Sequence, residues 1–294
     1  MKVTFWGTRG SLASPGPETA RYGGNTACVS VDGGDGAVLV LDAGTGIRRL
    51  SAALPAALTR VDILLTHLHM DHIQGLGFFG PLRNSQAEVH IWGPASTALS
   101  LHRRLSRYLS PPLFPVHLRD LPCRLVLHEV AGGTFDIGPF RVSSSFVCHP
   151  DPTVGYRITD SGAVVTYLPD HEPALGVREF PLSPDWTSGY TLAAGADLLI
   201  HDAQYTPEEY AERVGWGHSS MEHAVAFAAC AGVKHLVPFH HDPDHTDEQL
   251  DRLMEALVRS TQPPFAITAA MEGTTFSLPE DGGQGAMKVK EIMG

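Results

Sequence analysis

An apolar strand pattern, Val61-Asp62-Ile63-Leu64-Leu65, runs straight into Thr66-His67-Leu68-His69-Met70-Asp71-His72, so three imidazoles and one carboxylate fall within six positions. In an extended segment alternate side chains share a face, which puts His67, His69 and Asp71 on one side. A turn after Asp71 then brings His72 round to a neighbouring point. That is a metal-binding layout: one cation can use the first two histidines while a second uses Asp71 and His72. Gly75 closes the segment as a glycine-punctuated exit into a short helix.

Further polar residues stand where strand patterns end. His149 follows Phe146-Val147-Cys148, Asp170 follows Val164 to Pro169, and His240 and His241 follow Val237-Pro238-Phe239. A lone histidine after a strand is more often structural than a ligand, so these positions acquire meaning only together with the first motif.

The remaining patterns outline an α/β chain. Strands are expected at Val3 to Trp6, Ala27 to Val31, Ala37 to Leu41, Glu88 to Trp92, Arg124 to Val130, Phe140 to Val147, Val154 to Ile158, Val164 to Tyr167, Asp197 to Ile200 and His235 to Pro238. Helices are expected at Ile47 to Leu58, Pro94 to Tyr108, Pro207 to Val214, Met221 to Ala231 and Asp247 to Arg259. Two halves, each a sheet followed by helices, suit an α/β sandwich with helices outside. With 294 residues, 43% of them hydrophobic, the chain can fill one large core or two small ones; one domain over 1–280 is expected, with 281–294 a polar C-terminal tail.

Composition excludes several classes. No signal pattern precedes Val3 and no apolar run reaches a bilayer's width, so a soluble, cytoplasmic protein without membrane contact is expected. Cys28, Cys123, Cys148 and Cys230 form no Cys-x-x-Cys pair, which argues against both a disulfide framework and a thiolate zinc site. The formal charge of −11 opposes a surface for duplex nucleic acid. A small anionic substrate stays compatible, because two divalent cations add about four positive charges to a pocket.

Thr-His-x-His-x-Asp-His after a buried strand resembles the signature of the metallo-β-lactamase-fold hydrolases. Gly7-Thr8-Arg9-Gly10-Ser11, Tyr22-Gly23-Gly24-Asn25-Thr26, Leu41-Asp42-Ala43-Gly44-Thr45-Gly46 and Gly217-His218-Ser219-Ser220 resemble, in order, segments of the branch containing ribonuclease Z and related phosphodiesterases. The resemblance runs from residue 3 to about residue 245 and implies a four-layer αββα sandwich. It also implies a ligand set: His67, His69 and His149 for one metal, Asp71, His72 and His240 for the other, and Asp170 shared. His241 stays open as the alternative to His240, or as a pocket-lining residue. Nitrogen and oxygen donors suit zinc first, then manganese or iron.

The resemblance further implies a hydroxide bridging the metals that attacks phosphorus, oriented by Asp71 or Asp170. His218 is expected to contact the phosphate or protonate the leaving oxygen, with Asp202 holding its tautomer. The alternative for His218 is a helix-capping role beside Ser219. Asp42 is expected to support the ligand loop through hydrogen bonds; Arg9 and Asn25 either reach substrate or stabilise turns. His171 and Glu172 either support the site from behind or take no part.

Cysteine is absent where Asp170 stands, unlike the zinc-cysteine β-lactamases, and the second His of the first motif is retained, unlike the diiron flavoproteins of this fold. Between His149 and Asp170 lie 20 residues, too few for the transfer-RNA-gripping arm that ribonuclease Z resemblance would imply there. A small phosphodiester is therefore expected as substrate: a cyclic nucleotide, a cyclic phosphate or a short oligonucleotide. The Pro-rich segment Leu109 to Val116 is expected to form an apolar lid through Phe114 or, equally, a contact in a homodimer. A thioester or lactone hydrolase on the same scaffold, and a non-enzymatic metal or ligand sensor, are the rival readings.

Overall fold

Alternation along the strands sorts the apolar side chains into three cores, and these cores define the layers. The computed structural model describes residues 1–33, 36–55, 57–175, 180, 183–279 and 287–291. The first sheet is built from β1 (Lys2–Gly7), β2 (Cys28–Asp32), β3 (Val38–Leu41), β4 (Arg60–Leu64), β5 (Glu88–Pro94) and β6 (Arg124–Val130), extended by β14 (Thr274–Ser277) and β15 (Lys288–Glu291). Its order is β15-β14-β1-β2-β3-β4-β5-β6. The second sheet holds β7 (Gly133–Ile137), β8 (Phe140–Phe146), β9 (Val154–Asp160), β10 (Ala163–Leu168), β11 (Leu198–Asp202), β12 (His235–Phe239) and β13 (Ala266–Ile267), in the order β13-β12-β11-β10-β9-β8-β7.

Phe5, Val29 and Leu41 of the first sheet meet Tyr156, Val165 and Phe239 of the second in the central core. Val61 and Ile63 point the other way, against Ile47 of α1 (Ile47–Ala53) and Leu101 and Leu105 of α3 (Leu101–Tyr108). Leu199 and Leu236 likewise turn outward onto Phe227 of α6 (Met221–Ala231) and Leu250 of α7 (Asp247–Thr261). Helix, sheet, sheet, helix is the resulting sequence of layers, the αββα sandwich expected. Each outer face must be covered because its strands are apolar on both sides.

Parallel pairing decides where polar residues collect. β3 to β6 run parallel, as do β10 to β13. The carboxyl end of β4 leads into His67 to His72, and those of β10, β11 and β12 lead to Asp170, Asp202 and His240. All open at one rim of the sandwich, the place where open α/β sheets carry their ligands.

Several elements depart from expectation. The helix from Ile47 stops at Ala53, because Leu54 is forced to extended backbone (ψ 141°) before Pro55. Pro94 ends β5 instead of starting a helix, and α3 begins only after Ser100, whose Oγ accepts from the Arg103 N–H at 3.4 Å. α5 (Pro207–Glu212) is fixed at its start by reciprocal Thr206 and Glu209 hydrogen bonds. The polar tail is also corrected in part: Lys288–Glu291 pairs antiparallel with β14, while residues 280–286 and 292–294 lie outside the described residues. All four cysteines are free thiols, and among the described residues no helix is long and apolar enough to cross a membrane.

Candidate metal centre

Two groups of donors that share Asp170 meet at the rim, beside a third made of Asp202, His218 and His240. His67, His69, His149 and Asp170 form one; Asp71, His72, Asp170 and His240 form the other, each with its ligand atoms within 4.8 Å of one another. Asp170 divides its two oxygens between them. Its Oδ2 lies 3.7 Å from Nε2 of both His67 and His149, and its Oδ1 lies 2.9 Å from His72 Nε2 and 3.4 Å from His240 Nε2.

What fixes the chemistry is the far side of each ring. His72 Nδ1–H donates to Asp42 Oδ2 at 2.8 Å, His149 Nδ1–H to the Gly217 carbonyl at 2.8 Å, and His240 Nδ1–H to Gln204 Oε1 at 3.1 Å. Thr66 gives its hydroxyl proton to Asp42 and accepts from His67 Nδ1 at 3.1 Å. Each of these four rings therefore turns its Nε2 inward. Ring nitrogens that face one another, such as His72 Nε2 and His240 Nε2 at 3.3 Å, or His149 Nε2 and His69 Nδ1 at 3.2 Å, need a proton or a cation between them. His67 Nε2 is buried with no hydrogen-bond partner among the described residues. Buried polar atoms are seldom left so, and the donor set fits a pair of divalent cations.

The titration directions agree. Burial pushes His67 well below its ordinary value and His149 down to about 4, so both are neutral and ligand-ready. Burial works to raise Asp170, but His240, His72 and His67 outweigh it and hold the carboxyl well below its ordinary range. His72 is the exception: burial opposes its charge, yet Asp170, Asp71 and Asp42 push its pKa well above the ordinary value. A proton there does part of a cation's work, and a cation binding in its place would expel it.

Asp42 accepts from Thr66 N, His72 Nδ1 and Tyr167 Oη, fully buried and at φ +57°. It thus ties the ligand loop to the opposite sheet, in the supporting role expected. Asp71 is held by the Ser11 N–H at 2.8 Å. Two glycines allow the rings their places: a Cβ at Gly10 would sit 2.4 Å from His240 Nδ1, and one at Gly217, itself at φ +89°, 2.4 Å from His149 Nδ1.

His240 itself turns at φ +62° toward the cluster, whereas His241 Nε2 reaches the Ala270 carbonyl at 2.9 Å and packs on Tyr22. The structure therefore gathers His240 and leaves His241 outside. His218 lies beside the cluster, stacked on His240 at 5.0 Å, with Nδ1 2.7 Å from Asp202 Oδ2. Asp202 is itself fixed by the Ser219 and Gln204 N–H groups. Burial would lower His218, but Asp202, then Asp170 and Asp71, push it up to about 9. The cap of α6 is Ser220, which accepts from the His223 N–H, so His218 is free of that duty.

Of the two roles open to Arg9 and Asn25, the structure shows the turn-holding one. Arg9 is fully buried, donating to the Gly23, Asp242 and His245 carbonyls, and Asn25 is bound to Glu272; both hold turns. Phe114 forms no lid. Its ring packs under Gly77, Phe78 and Tyr108 in the outer core, and its neighbour Leu113 is the exposed residue. The supporting residues Gln204 and Tyr167 carry no recognisable local motif, whereas Glu172 takes the supporting role left open for it. Glu172 accepts from Tyr210 Oη at 2.7 Å and from the Gly217 N–H at 2.9 Å, fixing the loop that holds His149 and His218.

Residues 38–241 match the beta-lactamase superfamily domain. The chain is 32% identical over 261 residues to a ribonuclease Z of Mycobacterium sp. (strain KMS), covering 83% of this chain and 85% of that protein. In structure it is similar to human tRNase Z, short form, with a TM-score of 0.66 and 23% identity over 95% of this chain and 100% of that one. It is also similar to Zn(2+)-bound PqqB from Methylobacterium extorquens, with a TM-score of 0.68 and 20% identity over 95% of this chain and 100% of that one. At such identities the two structural likenesses speak for the fold.

Proposed function

The chain belongs to the beta-lactamase superfamily, in its ribonuclease Z- and phosphodiesterase-like branch of metal-dependent hydrolases, and from that premise we propose that it is a dinuclear phosphodiesterase acting on a small anionic phosphodiester. A single domain over 1–280 would carry the activity. His67, His69 and His149 would hold one cation, Asp71, His72 and His240 the second, and Asp170 both. Zinc fits this nitrogen and oxygen set first, then manganese or iron. When bound, such a pair supplies positive charge for the phosphoryl oxygens and water of lowered pKa.

The chain's own contribution is positional. Asp170 and Asp71 are anionic and immobilised, so they can orient a water molecule toward phosphorus. His218, protonated at neutral pH with Nδ1–H on Asp202, is left with Nε2–H to give to a phosphate oxygen or to the departing alkoxide. The single observation that carries this reading is the inward convergence of donor atoms, with the far sides of His67, His72, His149 and His240 hydrogen-bonded.

Small substrates are favoured over transfer RNA. The 20 residues between His149 and Asp170 are taken up largely by the β9–β10 hairpin, turning at Ser161 and Gly162, and the chain carries a net charge of −11. One observation favours a second reading, a thioester or lactone hydrolase: the wall beside His69 is apolar. Metal-loaded protein assayed on phosphodiesters, thioesters, lactones and precursor transfer RNA decides among these. Asp170→Ala should abolish turnover and lower bound metal below two equivalents; full activity with two metals bound refutes the assignment.

A further inference from the structure

Beside His69 lies a cavity of about 430 Å³ whose wall is formed largely by Leu68, Met70, Ile73, Leu99, Tyr108 and Leu113. Leu113 is 70% exposed and Met70 50% exposed, so the cavity offers apolar surface at its mouth. Several polar groups of the wall are already engaged. Tyr108 Oη donates to the Gln74 carbonyl at 2.5 Å; Arg104 donates to the Pro94 carbonyl and lies 3.7 Å from Glu129; Ser96 Oγ accepts from the Ala98 N–H. Asp151, with its side chain 82% exposed and Oδ2 3.9 Å from His69 Nε2, sets a negative charge at the mouth.

We propose that this cavity receives an uncharged alkyl or aryl arm of the phosphodiester, attached to the phosphate held at the adjoining centre. A nucleoside arm would bury base-edge and sugar hydroxyl groups against a largely apolar wall in which the Tyr108 hydroxyl is already engaged, leaving most of them unpaired. An arm bearing a second phosphate would meet Asp151. Arg107 is exposed in the same wall and pairs with no carboxylate among the described residues. This inference rests on the two-cation reading of the neighbouring cluster and narrows its substrate class.

Binding of one-armed anions to the zinc-loaded full chain, measured by calorimetry, tests it without relying on turnover. Phenyl phosphate should bind at least about tenfold more tightly than methyl phosphate, the least that a hydrophobic pocket returns for added apolar carbon, and also more tightly than thymidine 5′-phosphate. Leu113→Asp and Leu99→Asp should each bring the phenyl-to-methyl ratio toward one. Equal binding of phenyl and methyl phosphates, tightest binding of the thymidine ligand, or an unchanged ratio in both variants overturns the proposal. If the ratio holds while only thioesters or lactones are hydrolysed, the phosphodiesterase reading fails instead and the apolar arm belongs to an acyl group.

Discussion

Asp42→Asn is the sharpest probe of how the ligands are set. The substitution keeps size and tolerates the positive φ at this position, so the backbone has no reason to move. In the native chain Oδ1 accepts from the Thr66 N–H at 2.8 Å, and Oδ2 accepts from His72 Nδ1 at 2.8 Å and Tyr167 Oη at 3.0 Å. An amide has one acceptor oxygen, so its NH₂ must face either the Thr66 N–H or the His72 Nδ1–H. The backbone donor cannot change its proton; the imidazole can. His72 should move its proton to Nε2, the atom turned toward Asp170, Asp71 and His240, and that nitrogen then has no lone pair for a cation. Loss of such an orienting partner typically costs 10–100-fold in metal affinity, and the disturbed buried hydrogen bonds about 1–3 kcal/mol of stability. Isothermal titration with zinc should show one site weakened by that factor and the other nearly native, with circular dichroism reporting a folded protein. Two sites of unchanged affinity in folded Asp42→Asn would refute the tautomer argument.

Three further outcomes are expected. Glu172→Gln places an amide N–H against the Gly217 N–H or the Tyr210 hydroxyl; it should lower both zinc affinity at the His149 group and kcat, read by metal titration beside initial rates, while Glu172→Asp retains more of each. In the metal-free protein His218 keeps its proton up to about pH 9 against an ordinary 6.5, so its stabilisation is complete below pH 6.5 and lost as pH rises through 9; urea midpoints should fall across that window, and His218→Gln should flatten the fall. Phe114→Ala should lower stability by about 1–3 kcal/mol, as expected for a partly buried aromatic, with KM little changed; a large rise in KM in a thermally unaltered variant would restore the lid.

The donors were legible in the sequence because metal chemistry restricts residue type and because His67, His69, Asp71 and His72 are crowded into one strand exit. His149, Asp170 and His240 could be found because each also stands at a strand end, and the parallel strands bring those ends to one rim. The choice between His240 and His241 was not legible from pattern, since it depends on a single residue turning through φ +62°. Phe114 misled because a Pro-rich segment suggests exposure, yet the aromatic ring gains more from the outer core and leaves Leu113 at the surface.

The residues that could not be read are those acting on the far side of the imidazoles. Gln204 meets His240 across 36 residues and Tyr167 meets Asp42 across 125, while Glu172, whose supporting role the sequence left open, meets Gly217 across 45. Glutamine and tyrosine at those positions suit many environments, so residue type signals nothing until the sheets are stacked. Yet these contacts decide which nitrogen of each ring carries the proton, and without them the same histidines could as readily hydrogen-bond one another as face inward. The sequence motif thus specifies which atoms are available to a cation, whereas the packing of two distant sheets specifies that their lone pairs converge. Changing Gln204, Tyr167 or Asp42 should therefore disturb metal binding while every ligand in the motif remains in place.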